Sequence, residues 1–349
     1  MSLSRIAELT GVRQFRLTEA LITDPGPGEV QVRVQAVGIC GSDVHSYAEG
    51  GVGDTPCNYP MVLGHEPAGV IVKMGQGISG WSLGDAAAFE PAIYCYHCEY
   101  CLSGRHNVCA KLRFMSMPGD PGFFRDFVNL PITNLLALPP NLGVNEGALI
   151  EPLAVALHSM TIGQPKLGET AVVFGAGPIG LLTIASLKLH GVKRIWAVEP
   201  IAARQQLARK MGADVVIHPA AADVERQILT ETGNRGVDIV FDCATKGASS
   251  HQAIRVARSA GRVVFTGIPS EVELPIPFHV WRRKELTLFQ VRRSNHDSAL
   301  ARQILADNPA RFAPLITHTR PLDQIANAFT QVERYEDGVG KLIVRVDQG

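Results

Sequence analysis

The chain has 349 residues, 46% apolar and 19% charged, with 33 basic side chains against 33 acidic ones. That composition describes a globular protein and not a disordered one. The charge balance argues against docking on nucleic acid or an anionic membrane, which needs clustered Lys and Arg, and the length calls for two domains.

Residues 1–9 carry Arg5 and Glu8 and lack the apolar core of a secretory signal. The apolar stretch 170–187 is interrupted by glycines and a proline and falls short of a membrane span. A cytoplasmic protein is expected, with its seven cysteines reduced or metal-bound. Residues 5–90 read as β-structure: 29–37 alternates with period two after a Pro-Gly-Pro-Gly turn, and 69–73 is a second strand. Many short strands with frequent Gly and Pro suggest a barrel-type β domain. Residues 91–130 form no regular pattern. A helix is expected over 145–162, with Pro152 near a start or a kink.

Beyond 168 the texture changes. Strands are expected at 170–174, 194–198, 214–217, 237–242, 262–266 and 286–291, with helices at 178–190, 202–211, 223–232, 249–260 and 296–307, and a last strand at 342–346. Alternating β and α with short connections predicts a doubly wound parallel sheet. The fold class is therefore α/β, with two domains. The first is placed at 1–153 plus 292–349, with an irregular lobe at 91–112; the second is placed at 154–291.

Three clusters carry chemistry. Gly175, Gly177, Pro178, Ile179 and Gly180 belong to a G-x-G-x-x-G run that follows a strand and opens a helix, the setting in which this pattern binds a dinucleotide. Glu199 ends the next strand, where a carboxylate accepts from ribose hydroxyls and repels a 2′-phosphate, which favours NAD; Arg204 partly offsets that repulsion. Cys95, Cys98, Cys101 and Cys109 suit either a closed structural zinc site or an iron–sulfur cluster. The spacing and the absence of a second cluster favour zinc. Cys40, His65 and Glu66 make the ligand set of a zinc with an open position, with Glu151 as a second carboxylate nearby. Asp43 is placed to accept the other ring N–H of His65.

Together the runs Cys40-Gly41-Ser42-Asp43-Val44-His45, Gly64-His65-Glu66, the four-cysteine lobe, Gly147-Ala148-Leu149-Ile150-Glu151-Pro152-Leu153 and the glycine loop resemble the zinc-dependent medium-chain alcohol dehydrogenases. The likeness is to their sorbitol (polyol) dehydrogenase branch and covers nearly the whole chain. It implies a GroES-like catalytic domain, a Rossmann domain, NAD, and two zinc ions per chain, one catalytic and one structural. It implies that Cys40, His65 and Glu66 hold the catalytic zinc, that Glu151 touches the metal's surroundings, and that Ser42 and His45 relay the alcohol proton. It puts Tyr47 and Arg292 at the substrate, a small-molecule secondary alcohol such as sorbitol or xylitol. It implies a homo-oligomer, dimer or tetramer. The chain departs from the branch at Val291-Arg292-Arg293, where an aromatic residue is usual after the arginine. The second cation either pairs locally or suits a substrate with a carboxylate. An L-threonine 3-dehydrogenase, a sugar-acid dehydrogenase and a non-catalytic nucleotide-binding relative are the alternative readings.

Overall fold

The computed structural model describes residues 2–347. The chain divides into two compact units. One holds Met1–Glu151, Ser298–Pro309 and Ile316–Gly349; the other holds Pro152–Asp297 and Ala310–Leu315. The division between the first two segments falls inside one helix, Ile150–Gly163. Residues 292–297, expected with the catalytic domain, group with the second unit.

The first unit is built on a seven-stranded sheet. Its central strand, Glu29–Gly38, pairs antiparallel with Glu66–Met74, Phe127–Pro131 and the C-terminal Lys341–Arg345. With neighbours on both edges and a covered face, this strand is more buried than its alternation predicts. Even Gln31 is enclosed, because its amide donates to Thr23 O and Asn129 Oδ1 at 3.1 Å each. The strand ends at Gly38, and the chain turns through Cys40 into the helix Gly41–Glu49. The Asp43 carboxylate accepts from the Cys40 N–H at 3.2 Å, closing the helix start with a negative group where the backbone dipole favours one.

The single helix expected over 145–162 is two: Val144–Gly147 and Ile150–Gly163. Pro152 has no N–H to give, so it is tolerated only in a first turn, and the second helix begins two residues before it.

The second unit is a six-stranded sheet, parallel at every pairing. Its order is Val215–Ile217, Arg194–Val198, Thr170–Phe174, Val237–Asp242, Ala257–Phe265, Thr287–Gln290. This order reverses at Thr170–Phe174, the first strand of the unit, which makes its carboxyl end the switch point where such sheets bind ligands. Ala171 to Phe174 and Val237 to Asp242 are buried throughout, as parallel strands covered on both faces must be. The helix expected to reach residue 260 stops at Val256, and the next strand begins at once. Ala260 adopts φ 54°, outside any helix, and of residues 257–260 only Ala257 is buried, so the strand, not a further helical turn, takes them. Among the described residues no helix is long and apolar enough to cross a membrane.

Candidate functional site

The cysteine lobe brings its four thiols together around the short helix Glu99–Leu102. Cys95 Sγ lies 3.4 Å from Cys109 Sγ and 3.9 Å from Cys101 Sγ; Cys98 Sγ lies 3.9 Å from Cys109 Sγ. None is disulfide-bonded. Metal–sulfur bonds of ~2.3 Å at tetrahedral angles put sulfurs about 3.8 Å apart, so the spacing is that of a zinc tetrahedron. Backbone N–H groups of Ala110 and Cys101 pull the Cys98 thiol down to about 6, while burial pushes Cys101 up to about 12. A bound dication would favour the thiolate at all four.

The second cluster grows out of the central sheet. Cys40 follows the end of one strand, and His65 and Glu66 stand at the start of its neighbour, with Gly38 and Glu66 in register. The ligand atoms of Cys40, His65 and Glu66 all lie within 4.8 Å of one another. His65 and Glu66 are enclosed and Cys40 is half-buried. Asp43, fully buried, is the hub beneath them. Its Oδ1 accepts from Ser116 Oγ at 2.9 Å and Gly64 N at 3.2 Å, and stands 3.3 Å from His65 Nδ1. Burial opposes charge on the His65 ring, but Asp43 and then Cys40 outweigh it and hold its pKa well above the usual imidazole value. A soft thiolate, an imidazole and a carboxylate on one small face are donors that zinc accepts with a position to spare.

Glu151 does not join that trio. Burial pushes its carboxyl up to about 8; His65 opposes the shift, and Glu66 and Glu90 add to it. Ser42 Oγ donates to Cys40 Sγ at 3.4 Å, and His45 Nδ1 lies 3.0 Å from Glu49 Oε2, one turn along the same helix.

The glycine loop opens the helix Pro178–Leu189, with Pro178 in its first turn. Gly175 adopts φ 85°, and a Cβ on Gly180 would overlap the Gly175 carbonyl oxygen, so neither position admits a side chain. Ile179 lies within the first turn of this helix, and its carbonyl accepts from Thr183 Oγ1 at 2.8 Å. Glu199 Oε2 accepts from Ala176 N at 2.6 Å and Oε1 from Ile201 N at 2.9 Å, which ties the loop to the following strand. The Arg204 side chain is buried, and its Nη1 lies 3.8 Å from where a Cβ on Gly177 would stand. A dinucleotide pyrophosphate fits such a helix start and its bare backbone.

Two other expectations meet the structure differently. Tyr47 is a core residue: it is 3% exposed, stacks 5.7 Å from Phe15, packs 5.1 Å from Phe329, and hydrogen-bonds Thr330 Oγ1 through its hydroxyl at 3.2 Å. Its ring is enclosed by Phe15 and Phe329, so it is not free to cover a substrate. Arg292 lies exposed in the second unit, just past the strand Thr287–Gln290, and Arg293 beside it is half-buried at φ 56°. The sequence reading missed Ser116, which donates to Asp43, and Lys341, which is buried against Glu66. A lone lysine opening the apolar run Leu342-Ile343-Val344 was the one signal for the second.

Known proteins resemble this chain over nearly its whole length. Residues 26–140 match the alcohol dehydrogenase GroES-like domain, and residues 178–307 match the zinc-binding dehydrogenase domain. The chain is 30% identical to a sorbitol dehydrogenase of Bacillus subtilis over 340 residues, 97% of this chain and 96% of that one. It belongs to the zinc-binding alcohol dehydrogenases. It is also 34% identical to D-xylulose reductase A of Aspergillus niger, over 97% of this chain and 96% of that one. A zinc-binding dehydrogenase of Sinorhizobium meliloti 1021, solved bound to NADP, superposes with a TM-score of 0.91 at 28% identity, covering 99% of this chain and 100% of that one. The family's two-domain architecture, a GroES-like domain and a parallel-sheet Rossmann-type domain, is the one described above, and the four-cysteine cluster fits its structural zinc.

Proposed function

We propose that the protein is an NAD-dependent polyol dehydrogenase, taking hydride from a secondary alcohol of a sugar alcohol such as sorbitol or xylitol. The observation that carries this reading is the convergence of Cys40, His65 and Glu66 within 4.8 Å, in a chain that also carries a dinucleotide loop. The full-length likeness to sorbitol dehydrogenase and D-xylulose reductase supports the polyol class. Cys40, His65 and Glu66 hold a catalytic zinc; Cys95, Cys98, Cys101 and Cys109 hold a structural one. Bound zinc supplies a Lewis acid that polarises an alcohol oxygen, and bound NAD supplies the hydride acceptor.

The chain's own residues do the rest. Asp43 fixes the His65 ring. Ser42 is assigned to take the alcohol proton, and His45, an imidazole able to accept a proton at one nitrogen and release it from the other, to pass it on to solvent. Gly175, Gly177 and Gly180 keep the loop bare for the pyrophosphate. Glu199 favours NAD over NADP because a buried carboxylate beside the loop repels a 2′-phosphate, although a structurally similar relative was solved with NADP. Arg292 is assigned to the substrate's hydroxyls. The enzyme is further proposed to be cytoplasmic and homo-oligomeric, as dimer or tetramer. Cys40→Ser tests the core of this reading: turnover of every polyol is lost while NADH still binds. Near-normal activity in that variant refutes it. A panel of sorbitol, xylitol, L-threonine and sugar acids with NAD and NADP identifies substrate and cofactor.

A further inference from the structure

Glu66 and Lys341 lie on strands either side of the central strand and meet across it. Gly38 stands between them, in register with Glu66 on one side and with Ile343 on the other. A Cβ on Gly38 would strike Glu66 Oε2 and Lys341 Cε. The absent side chain is therefore what lets the Lys341 ammonium reach the Glu66 carboxylate. Both side chains are 1% exposed. Lys341 Nζ also donates to Ile39 O at 2.9 Å, immediately before Cys40. Among the described residues, Glu66 Oε2 meets no hydrogen-bonding donor besides this ammonium.

A buried lysine against a carboxylate is ordinary as an ion pair. Here the carboxylate belongs to the trio that suits a metal, so the ammonium and a dication compete for the same charge. Without metal, Lys341 compensates Glu66. With metal, the thiolate and the carboxylate together cancel a dication, and the lysine leaves a positive charge in surplus. Like charges at close range in a protein interior repel strongly.

We propose that Lys341 is a positioning residue of the metal centre: it shares the Glu66 carboxylate with the metal, keeps the loaded site net positive, and so limits how long the metal stays. The proposal rests on the reading of Cys40, His65 and Glu66 as metal ligands. It makes an unusual demand. Removing the lysine must tighten the metal, because the metal then becomes the only compensation for Glu66, whereas loss of a merely structural residue would loosen it.

The test uses the zinc-loaded full chain and two variants, Lys341→Met and Lys341→Gln. Gln removes the charge and keeps an N–H donor, on a side chain one atom shorter, whereas Met removes both. Zinc release to a chromogenic chelator is timed, with Cys40→Ser identifying the phase that belongs to this site. Cobalt is then loaded in place of zinc, and the thiolate-to-cobalt absorption is recorded. Both neutral variants are expected to release the Cys40-dependent zinc at least about tenfold more slowly than wild type and to shift the cobalt bands. Lys341→Arg is expected to restore the wild-type rate. Unchanged or faster release in the neutral variants overturns the proposal, as does failure of both to fold with zinc present, since zinc would then supply the partner that Glu66 had lost. If Cys40→Ser leaves both release phases intact, it is the assignment of the metal site that fails.

Discussion

Asp43→Asn is the most exacting test of how the metal face is held. The wild-type carboxylate accepts from Cys40 N, Gly64 N and Ser116 Oγ at 3.2, 3.2 and 2.9 Å and faces His65 Nδ1 at 3.3 Å. An asparagine amide keeps at most one of the two oxygens as an acceptor. Its best orientation puts the oxygen towards Gly64, Ser116 and His65, which leaves an NH2 against the Cys40 N–H. One charge-assisted bond of about 2 kcal/mol is lost, a donor faces a donor, and the remaining bonds lose their charge, for a total of about 3–5 kcal/mol. The side chain is 1% exposed, so solvent screening takes little from this figure. Peptide-level hydrogen exchange across residues 38–49 and 61–74 should quicken by about a hundredfold or more, and zinc at the Cys40 site should weaken by about 10–100-fold. Burial works against ionising Asp43, yet His65 and the donors hold its pKa below the ordinary carboxylate value. The stabilisation is thus present above the unfolded carboxyl's pKa of ~3.9 and is lost as pH falls through the lower folded value. The gap between wild type and variant should close in acid. Exchange within about threefold of wild type at neutral pH, with full zinc content, would refute the reasoning.

Three further outcomes follow from the same geometry. Zinc binding must displace the proton that Asp43 and Cys40 hold on His65, whose pKa is raised, so apparent affinity at the Cys40 site should climb by about tenfold or more per pH unit until that raised value is passed; a flat profile in metal-competition titrations between about pH 5.5 and 7.5 (about one unit either side of the ordinary imidazole pKa of ~6.5) contradicts this. Glu199→Ala removes both acceptors that tie Ala176 N and Ile201 N, and should raise the KM for NAD by about tenfold or more while NADP loses less; equal losses for both cofactors count against the charge argument. Tyr47→Phe removes only the bond to Thr330, and should cost about 1 kcal/mol in denaturant unfolding with kcat/KM unchanged; a large loss of kcat/KM would return Tyr47 to the substrate.

The chemistry was largely legible in the sequence because it depends on local order. The glycine loop, the cysteine spacing and the pair His65-Glu66 are contiguous or nearly so, and each carries its physical reason within a few residues. The strands of the parallel sheet were legible for the same reason, since strands buried on both faces read as unbroken apolar runs. The limit of helix 249–256 and the break before Ile150 were not. Apolar spacing cannot distinguish the last turn of a helix from the first residues of a buried strand, and Pro152 left open whether the helix started or bent there.

What the tertiary structure alone decided is which polar groups face one another. Ser116 is 73 residues from Asp43, and Lys341 lies at the far end of the chain from Glu66; nothing local marks either pair. Tyr47 had the right residue type and position for a substrate contact, but the core packed around Phe15 and Phe329 claimed its face of the helix. Gly38 shows the division most clearly. In sequence it is a strand end before a cysteine. In the sheet it is the gap through which two charges, carried on strands from opposite ends of the chain, come into contact.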